Sequence, residues 1–408
     1  MIWTLGVLAA VSLVIWIYLV LGRGLFWAAD QELEPDLPDP ADWPSVIALV
    51  PARNEAEVIG ETLDTLLAQD YPGPLQVILV DDHSDDGTAR AAQALARQSK
   101  HADRLHVVES DPLPSGWSGK IWALAQGWAH AQARAPEARY LWLTDADIAH
   151  WLQNLRDLVA KAEAEKLDLV SVMPQLSCES WWERLLIPPF VFFFQKLYPF
   201  RWVNNPKRRT AAASGGCILV NLEALNAAGD FRSIKGELID DCALAARIKA
   251  AARERGRGIW LGLGPEAESI RPYEGLMDIW NMVSRSAYTQ LGCSPRRLFA
   301  TVVGMILTYL VPPIAVLAGT YAGMFLPIED FGAAFGAVVA GMTAWGLMAL
   351  AAWPTFQRYG QPVGLTLLLP LAALLYTLMT LDSARRHRSG RGGEWKGRAQ
   401  AAMAGLED

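Results

Sequence analysis

Four stretches of this chain carry no charged residue, and they lie at its two ends. Residues 2–22 (IWTLGVLAAVSLVIWIYLVLG), 298–326, 332–353 and 363–381 contain no Asp, Glu, Lys or Arg. Each is long enough to cross a hydrocarbon core of about 30 Å as a helix. Residues 2–22 lack a basic leader and a small-residue cleavage site, so they read as an anchor (1–23) rather than a cleaved signal. Between Gly24 and Arg297 the chain reads as soluble. The expected plan is an anchor, a domain of catalytic size, and a membrane bundle at 298–382.

Composition agrees with that plan. Hydrophobic residues make up 52% and charged residues 19%, against roughly 25% charged in an average soluble chain. The shortfall excludes a disordered chain. A net charge of −7 argues against a nucleic-acid partner bound by bulk electrostatics. The 17 tryptophans suit a protein with aromatic belts at a membrane surface. Cys178, Cys217, Cys242 and Cys293 form no CxxC pair and have no His at ligand spacing, so neither a disulfide framework nor a structural zinc site is expected.

The basic segment 383–408, with Arg385, Arg386, Arg388, Arg391, Lys396 and Arg398, should stay cytoplasmic by the positive-inside rule. Three full crossings after a cytoplasmic domain would place it outside. Pro312-Pro313 inside the 298–326 run offers a broken or re-entrant segment as one resolution.

Residues 24–43 hold acids, prolines and no base, and read as a solvated linker. Short apolar runs then alternate with Ala-rich helical stretches. SVIALV (45–50), LQVILV (75–80), LHVVE (105–109), YLWLT (140–144) and LDLVSVM (167–173) read as strands. Helices are expected near 55–69, 86–100, 119–133 and 150–164. Continuous apolar strands with helices between them predict an α/β domain with a parallel sheet covered on both faces. In such sheets ligands bind beyond the carboxyl ends of the strands. The aromatic segment 181–203, broken by prolines and charges, reads as an interfacial insert near where a lipid would enter, or as a buried hydrophobic insertion.

Acids gather at those strand ends. After the first strand comes Pro51-Ala52-Arg53-Asn54-Glu55, with no GxGxxG. After the second comes Asp81-Asp82-His83-Ser84-Asp85-Asp86-Gly87. Asp85 or Asp86 fits a helix N-cap, whereas Asp81 or Asp82 could accept hydrogen bonds from a base or ribose. In Thr144-Asp145-Ala146-Asp147 both carboxylates can face one ligand, because residues two apart in an extended segment point the same way. Such a pair suits a hard divalent cation bridging a diphosphate. Asp240-Asp241 opens an Ala-rich helix. One acid can serve the helix N-terminus while its neighbour reaches into a site as general base for an acceptor hydroxyl.

The ordered set PARNE, VDDHSDDGT, WSGKIWALAQG, TDADI, SGG and DDCAL resembles the family 2 glycosyltransferases over about residues 44–290. The membrane-flanked layout and DDCALAARIK are similar to the hopene-associated glycosyltransferases. The resemblance implies a GT-A (nucleotide-diphospho-sugar transferase, Rossmann-like) domain in a bacterial inner-membrane, multi-pass enzyme whose catalytic domain is cytoplasmic. Pro51, Arg53 and Glu55 would then line the nucleotide pocket and Asp82 would hold uracil. Lys120 would lie near the donor diphosphate, and Asp145 and Asp147 would bind ribose, diphosphate and Mg²⁺ or Mn²⁺. Gly215 and Gly216 would face the acceptor, with Arg285 also on the acceptor side. Asp241 would be the base, with Asp240 its rival. The implied partners are a nucleotide sugar, UDP-linked, and a membrane-lipid hydroxyl.

The resemblance is incomplete. The acid pair begins with Asp where the family has Glu. The QxxRW signature of processive synthases is absent, the matching region reading SRSAYTQL (284–291), which favours single transfer over a polysaccharide synthase. The tail's Glu394-Trp395-Lys396-Gly397-Arg398 resembles the WxGR ending of some carotenoid-type glycosyltransferases. Phosphoryl transfer through an aspartyl nucleophile would leave Asp82 and Asp241 without a role, and a noncatalytic scaffold is at odds with the full set of acids.

Overall fold

The computed structural model describes residues 2–35, 37–325 and 327–393. The motif at Glu394–Arg398 therefore lies outside the described residues. The chain divides into two compact units. The sheet domain comprises Asp30–Ser177 and Phe200–Pro272; the helical unit comprises the chain up to Ala29, Cys178–Pro199 and Tyr273–Gly392. The segment 276–291, with Arg285, thus falls in the helical unit, and the sheet domain ends at 272 rather than 290.

Eight strands form one sheet: β1 (Val46–Ala52), β2 (Leu75–Asp81), β3 (Leu105–Glu109), β4 (Tyr140–Leu143), β5 (Ile148–His150), β6 (Leu167–Gln175), β7 (Ile218–Asn221) and β8 (Gly258–Ser269). Their spatial order is β3-β2-β1-β4-β7-β6-β8-β5. β1, β2, β3 and β4 run parallel, as the apolar runs predict. The sheet as a whole is mixed, which corrects the all-parallel expectation. β7 is antiparallel to both β4 and β6, and β5 is antiparallel to β8. β6 leaves the sheet at its carboxyl edge and the chain re-enters at that same edge through 214–217, so β7 has to run back. Every residue of β1 is buried, as a central strand covered on both faces requires.

Close packing sets the height of the helices on this sheet. A Cβ on Gly127 would lie 2.2 Å from Leu49 Cδ1 and 2.7 Å from Val80 Cγ2. The helix Gly119–Arg134 therefore lies directly on β1 and β2, and its first turn, capped by Ser118, carries Lys120 to the sheet's edge. The 24–43 linker is less solvated than expected. Leu33 is buried, Glu32 forms an isolated bridge to Leu263, and Asp39 pairs with Arg156 at 2.8 Å.

In the helical unit, Ile2–Gly22, Pro295–Phe325, Phe331–Arg358 and Val363–Arg388 are each long and apolar enough to cross a membrane. Pro295–Phe325 is continuous through Pro312-Pro313, which corrects the expected break. A π-turn at Ile306–Leu310 precedes the prolines. Neither Pro312 nor Pro313 has an N–H for the carbonyl of Thr308. The Trp16 indole donates to that carbonyl instead, at 2.8 Å. The helix Trp181–Leu197 opens with a Ser180–Glu183 capping box and contains Pro188 and Pro189. It buries Leu186, Ile187 and Phe192 but leaves Trp181 56% exposed. Met277 and Phe299, elsewhere in this unit, are also largely exposed.

Candidate active site

The candidate site is built wholly within the sheet domain, along one edge of the sheet. Parallel β1, β2 and β4 deliver Arg53, Asp82 and Asp145 just beyond their carboxyl ends. Because β7 runs the other way, with Ile218 beside Leu143, its entry loop places Gly215 and Gly216 at the same edge. β8, parallel to β6, brings its own exit there.

On the β1–β2 side, Arg53 donates to the carbonyls of Asp82 (2.5 Å) and His83 (3.2 Å). The backbone amides of Asn54, Glu55 and Ala56 donate in turn to Ser84 Oγ, Thr88 Oγ1 and Asp86 Oδ2. The two strand exits are thereby laced together, and Asn54 and His83 are held at positive φ, an uncommon conformation for residues with a Cβ. The Asp82 side chain is fully buried; its Oδ1 accepts from Ser110 Oγ at 3.3 Å. Asp81 folds onto Ser84. Asp86 accepts from the Thr88 amide at the start of the next helix, but the N-cap position itself is taken by Gly87, not by Asp85 or Asp86 as expected.

On the β4–β7 side, Lys120 Nζ lies 2.7 Å from Asp145 Oδ1 and 3.3 Å from Asp240 Oδ2. Burial alone would lower the Lys120 ammonium, but Asp145, Asp240 and Asp241 outweigh it and hold it above its ordinary value. Asp241 Oδ2 accepts the Gly215 amide at 3.1 Å and Oδ1 accepts the Cys242 amide at 2.7 Å. Burial, reinforced by the neighbouring Asp240 charge, pushes the Asp241 carboxyl up to about 6, against the opposing pull of Lys120 and the two amides. A carboxylate so poised can exchange a proton near neutral pH. Pro51, Asp145, Gly215, Asp240 and Asp241 line one small cavity with Lys120.

The two glycines differ. A Cβ on Gly215 would stand 3.1 Å from Lys120 Nζ, 3.6 Å from Asp145 Oδ2 and 3.7 Å from Asp241 Oδ2. The space at Gly216 is filled instead by Pro174 Cγ (2.5 Å) and Ile148 Cγ1 (3.1 Å). Glu55 is likewise turned to another partner, the Arg271 guanidinium. Arg271 Nε also lies 3.4 Å from Asp147 Oδ2. No motif marks Arg271 in the sequence; the pairing of Ile148 with Ser269 and the bond from Ile270 N to Asp147 O (3.0 Å) bring it in. His150 was missed as well. Its ring bridges Thr144 Oγ1 and Asn154 Nδ2, each at 2.8 Å, beneath the Asp145–Asp147 turn. Arg285 lies in the helical unit, on the helix Leu276–Gln290, and is not part of this cluster.

The donor set fits a divalent cation of the Mg²⁺ or Mn²⁺ type. Glu55, Asp145, Asp147, Asp240 and Asp241 are met by two cations, Lys120 and Arg271, so the cluster is acidic before any diphosphate arrives. Among the described residues no group of three or more His, Cys, Asp or Glu is arranged to hold a metal by itself. One or two carboxylates with substrate phosphates and water is a usual way to hold Mg²⁺.

Strand order, edge and acid cluster together define a GT-A-type nucleotide-sugar transferase fold. Residues 47–229 match the family model "Glycosyl transferase family 2". Over 205 residues the chain is 27% identical to a 4,4'-diaponeurosporenoate glycosyltransferase of Staphylococcus aureus (strain bovine RF122 / ET3-1), covering 50% of each protein. The corresponding enzyme of strain USA300 is 27% identical over 201 residues, 48% of this chain and 49% of its own. The chain thus spans about half the length of the curated relatives it matches. Among solved structures, the mannosyltransferase PcManGT of Pyrobaculum calidifontis, in complex with GDP-Man and Mn²⁺, superposes with a TM-score of 0.53 at 21% identity, over 93% of this chain and 98% of that one. That likeness concerns the fold.

Proposed function

We propose that this protein is a metal-dependent, inverting glycosyltransferase that moves one sugar from a nucleotide sugar, UDP-linked, to a hydroxyl of a membrane lipid of the hopanoid or other isoprenoid class. The observation that carries the reading is the Asp241–Gly215–Lys120–Asp145 cluster at the strand exits. It puts a carboxylate with a raised pKa beside a half-buried ammonium and a position without a side chain.

In this reading Asp241 accepts the acceptor hydroxyl's proton as that oxygen attacks the anomeric carbon. The Gly215 amide fixes the carboxylate's orientation, and the bare Cα leaves room for the incoming group. Lys120 offsets negative charge on the departing diphosphate. A divalent cation held by Asp145 and Asp147 would supply Lewis-acid stabilisation of that leaving group. Asp82 belongs to the nucleotide side, braced by Arg53 and Ser110. The lipid acceptor is supported by the four apolar helices and by relatives named for glycosylating 4,4'-diaponeurosporenoate. The exposed Trp181 and Met277 suit segments 181–203 and 276–291 resting in a bilayer surface. In this reading the protein belongs to the bacterial inner membrane, with the sheet domain in the cytoplasm.

The test is transfer by the purified full chain in detergent with a bacterial lipid extract, Mn²⁺ and a panel of UDP- and GDP-sugars. Mass spectrometry of membrane lipids with and without the gene accompanies it. Loss of one glycolipid with the gene and nucleotide release with the matching sugar supports the reading. An unchanged lipid profile with no nucleotide release from any donor overturns it.

A further inference from the structure

Resting on the reading above, we propose that Arg271 holds the place of the donor's phosphates until the donor binds and thereby couples donor binding to metal binding. One guanidinium spans two acids from different strand exits. Its Nη2 bonds Glu55, beyond β1, and its Nε lies 3.4 Å from Asp147 Oδ2, beyond β4. Asp147 is one of the two carboxylates assigned to the metal. A carboxylate already paired with a guanidinium is a poorer metal ligand, because an incoming cation must first displace the one in place.

The geometry makes that displacement dependent on the donor. Arg271 cannot drift far: Ile270 donates to the Asp147 carbonyl, and Ser269 is in register with Ile148. Glu55 is fixed too, its backbone amide bonded to Thr88 Oγ1 and its side chain 10% exposed. The Arg271 side chain is 37% and the Asp147 side chain 28% exposed, so both can be reached by a ligand. A diphosphate offers the planar guanidinium an acceptor that it can grip through two N–H groups. Arg271 then exchanges Asp147 for phosphate and Asp147 becomes available to the metal. Without a diphosphate the guanidinium keeps Asp147 occupied. By thermodynamic linkage the donor must tighten the metal and the metal must tighten the donor by the same factor. Arg271 acts here as a positioning residue.

The experiment measures Mn²⁺ affinity of the full-length protein in detergent by the electron paramagnetic resonance signal of free Mn²⁺, with and without saturating UDP or GDP. Proteins are wild type, Arg271→Met and Arg271→Lys, each checked for an unchanged thermal midpoint. For wild type, the nucleotide should tighten Mn²⁺ by about 5–150-fold, the usual span of a coupling factor. Arg271→Met should bind Mn²⁺ at least about fivefold more tightly than wild type without nucleotide, and its coupling should be smaller by that same factor, the remainder being the direct bond between metal and phosphate. Arg271→Lys, which keeps the charge but cannot span both acids, should fall between the two and carries the test if Arg271→Met is unstable. If wild-type protein binds Mn²⁺ and transfers sugar in a Mn²⁺-dependent manner but both variants keep the full coupling, the Arg271 proposal alone falls. If nucleotide binds and Mn²⁺ binds none of the proteins, the metal assignment of the proposed function falls first and takes this proposal with it.

Discussion

Gly215 donates its backbone amide to Asp241 Oδ2 at 3.1 Å, and its missing side chain leaves the gap between that carboxylate and Lys120 Nζ. The base, its orienting donor and the phosphate-side cation therefore meet around a residue with no side chain.

Asp241→Asn should keep nucleotide-sugar affinity while turnover falls by about 10²–10⁴-fold, the usual cost of losing a general base. Asp240→Asn should be milder. A dead Asp240→Asn beside a near-normal Asp241→Asn would move the base by one residue. Product anomeric configuration, read by NMR, should be inverted relative to the donor.

The raised Asp241 carboxyl gives a pH signature. A base works deprotonated, so kcat/KM should climb as pH rises through about 6 and level off above it. On the acid side it should fall about tenfold per pH unit. A flat profile from pH 5 to 7.5 would be inconsistent with Asp241 as the titrating group.

Adjacent glycines should fail differently. In Gly215→Ala the new methyl meets the mobile end of Lys120, so the fold should hold while transfer drops sharply. In Gly216→Ala the methyl runs into Pro174 and Ile148, with an expected loss of about 1–3 kcal/mol from overpacking. Thermal midpoints and turnover, measured on both proteins, separate the two effects.

Chelation should stop transfer. EDTA should abolish it and added Mn²⁺ or Mg²⁺ restore it, while Asp147→Ala should not be restored at the same metal concentration. Full activity in EDTA would remove the metal from the mechanism.

His150 should make the sheet domain acid-sensitive. Burial lowers its pKa to about 3, whereas the unfolded chain takes up that proton near 6.5. Stability is thus fully present above about 6.5 and declines as pH falls towards 3, by at most about 1.4 kcal/mol per pH unit. Urea midpoints at pH 7 and 5 should differ less in His150→Phe than in wild type. Equal divergence in both would acquit His150.

How legible the protein was in sequence depended on pattern length. The five strands read as apolar runs are all present, as are the four helices that follow them, because each is a sustained single-period segment. β5 and β7, three and four residues long, escaped notice, whereas the equally short β4 was marked by the helical stretches on either side of it. β8 is interrupted by Gly262 and Gly264, which weaken a strand pattern. Those three strands also supply the antiparallel pairings. Losing them hid Arg271, whose place beside Asp147 exists only through the β5–β8 ladder. Asp145, Asp240 and Asp241 could be singled out because acids at strand and helix ends need no long-range register to be noticed. What Glu55 and Gly216 actually touch could not be read without it.

The Trp16 indole and the Thr308 carbonyl are 292 residues apart in the chain. Synthesis proceeds at about 5–20 residues per second, so the first helix waits roughly 15–60 s for that partner to be made. During that time the indole donor waits for its acceptor. When the proline-bearing helix arrives, it brings a carbonyl that its own backbone cannot serve, in a solvent where such a group costs several kcal/mol. The N-terminal segment is then more than a tether: it is the pre-positioned half of a joint. Exchanging it for an unrelated anchor of equal length and hydropathy should leave the sheet domain folded and the C-terminal helices poorly assembled.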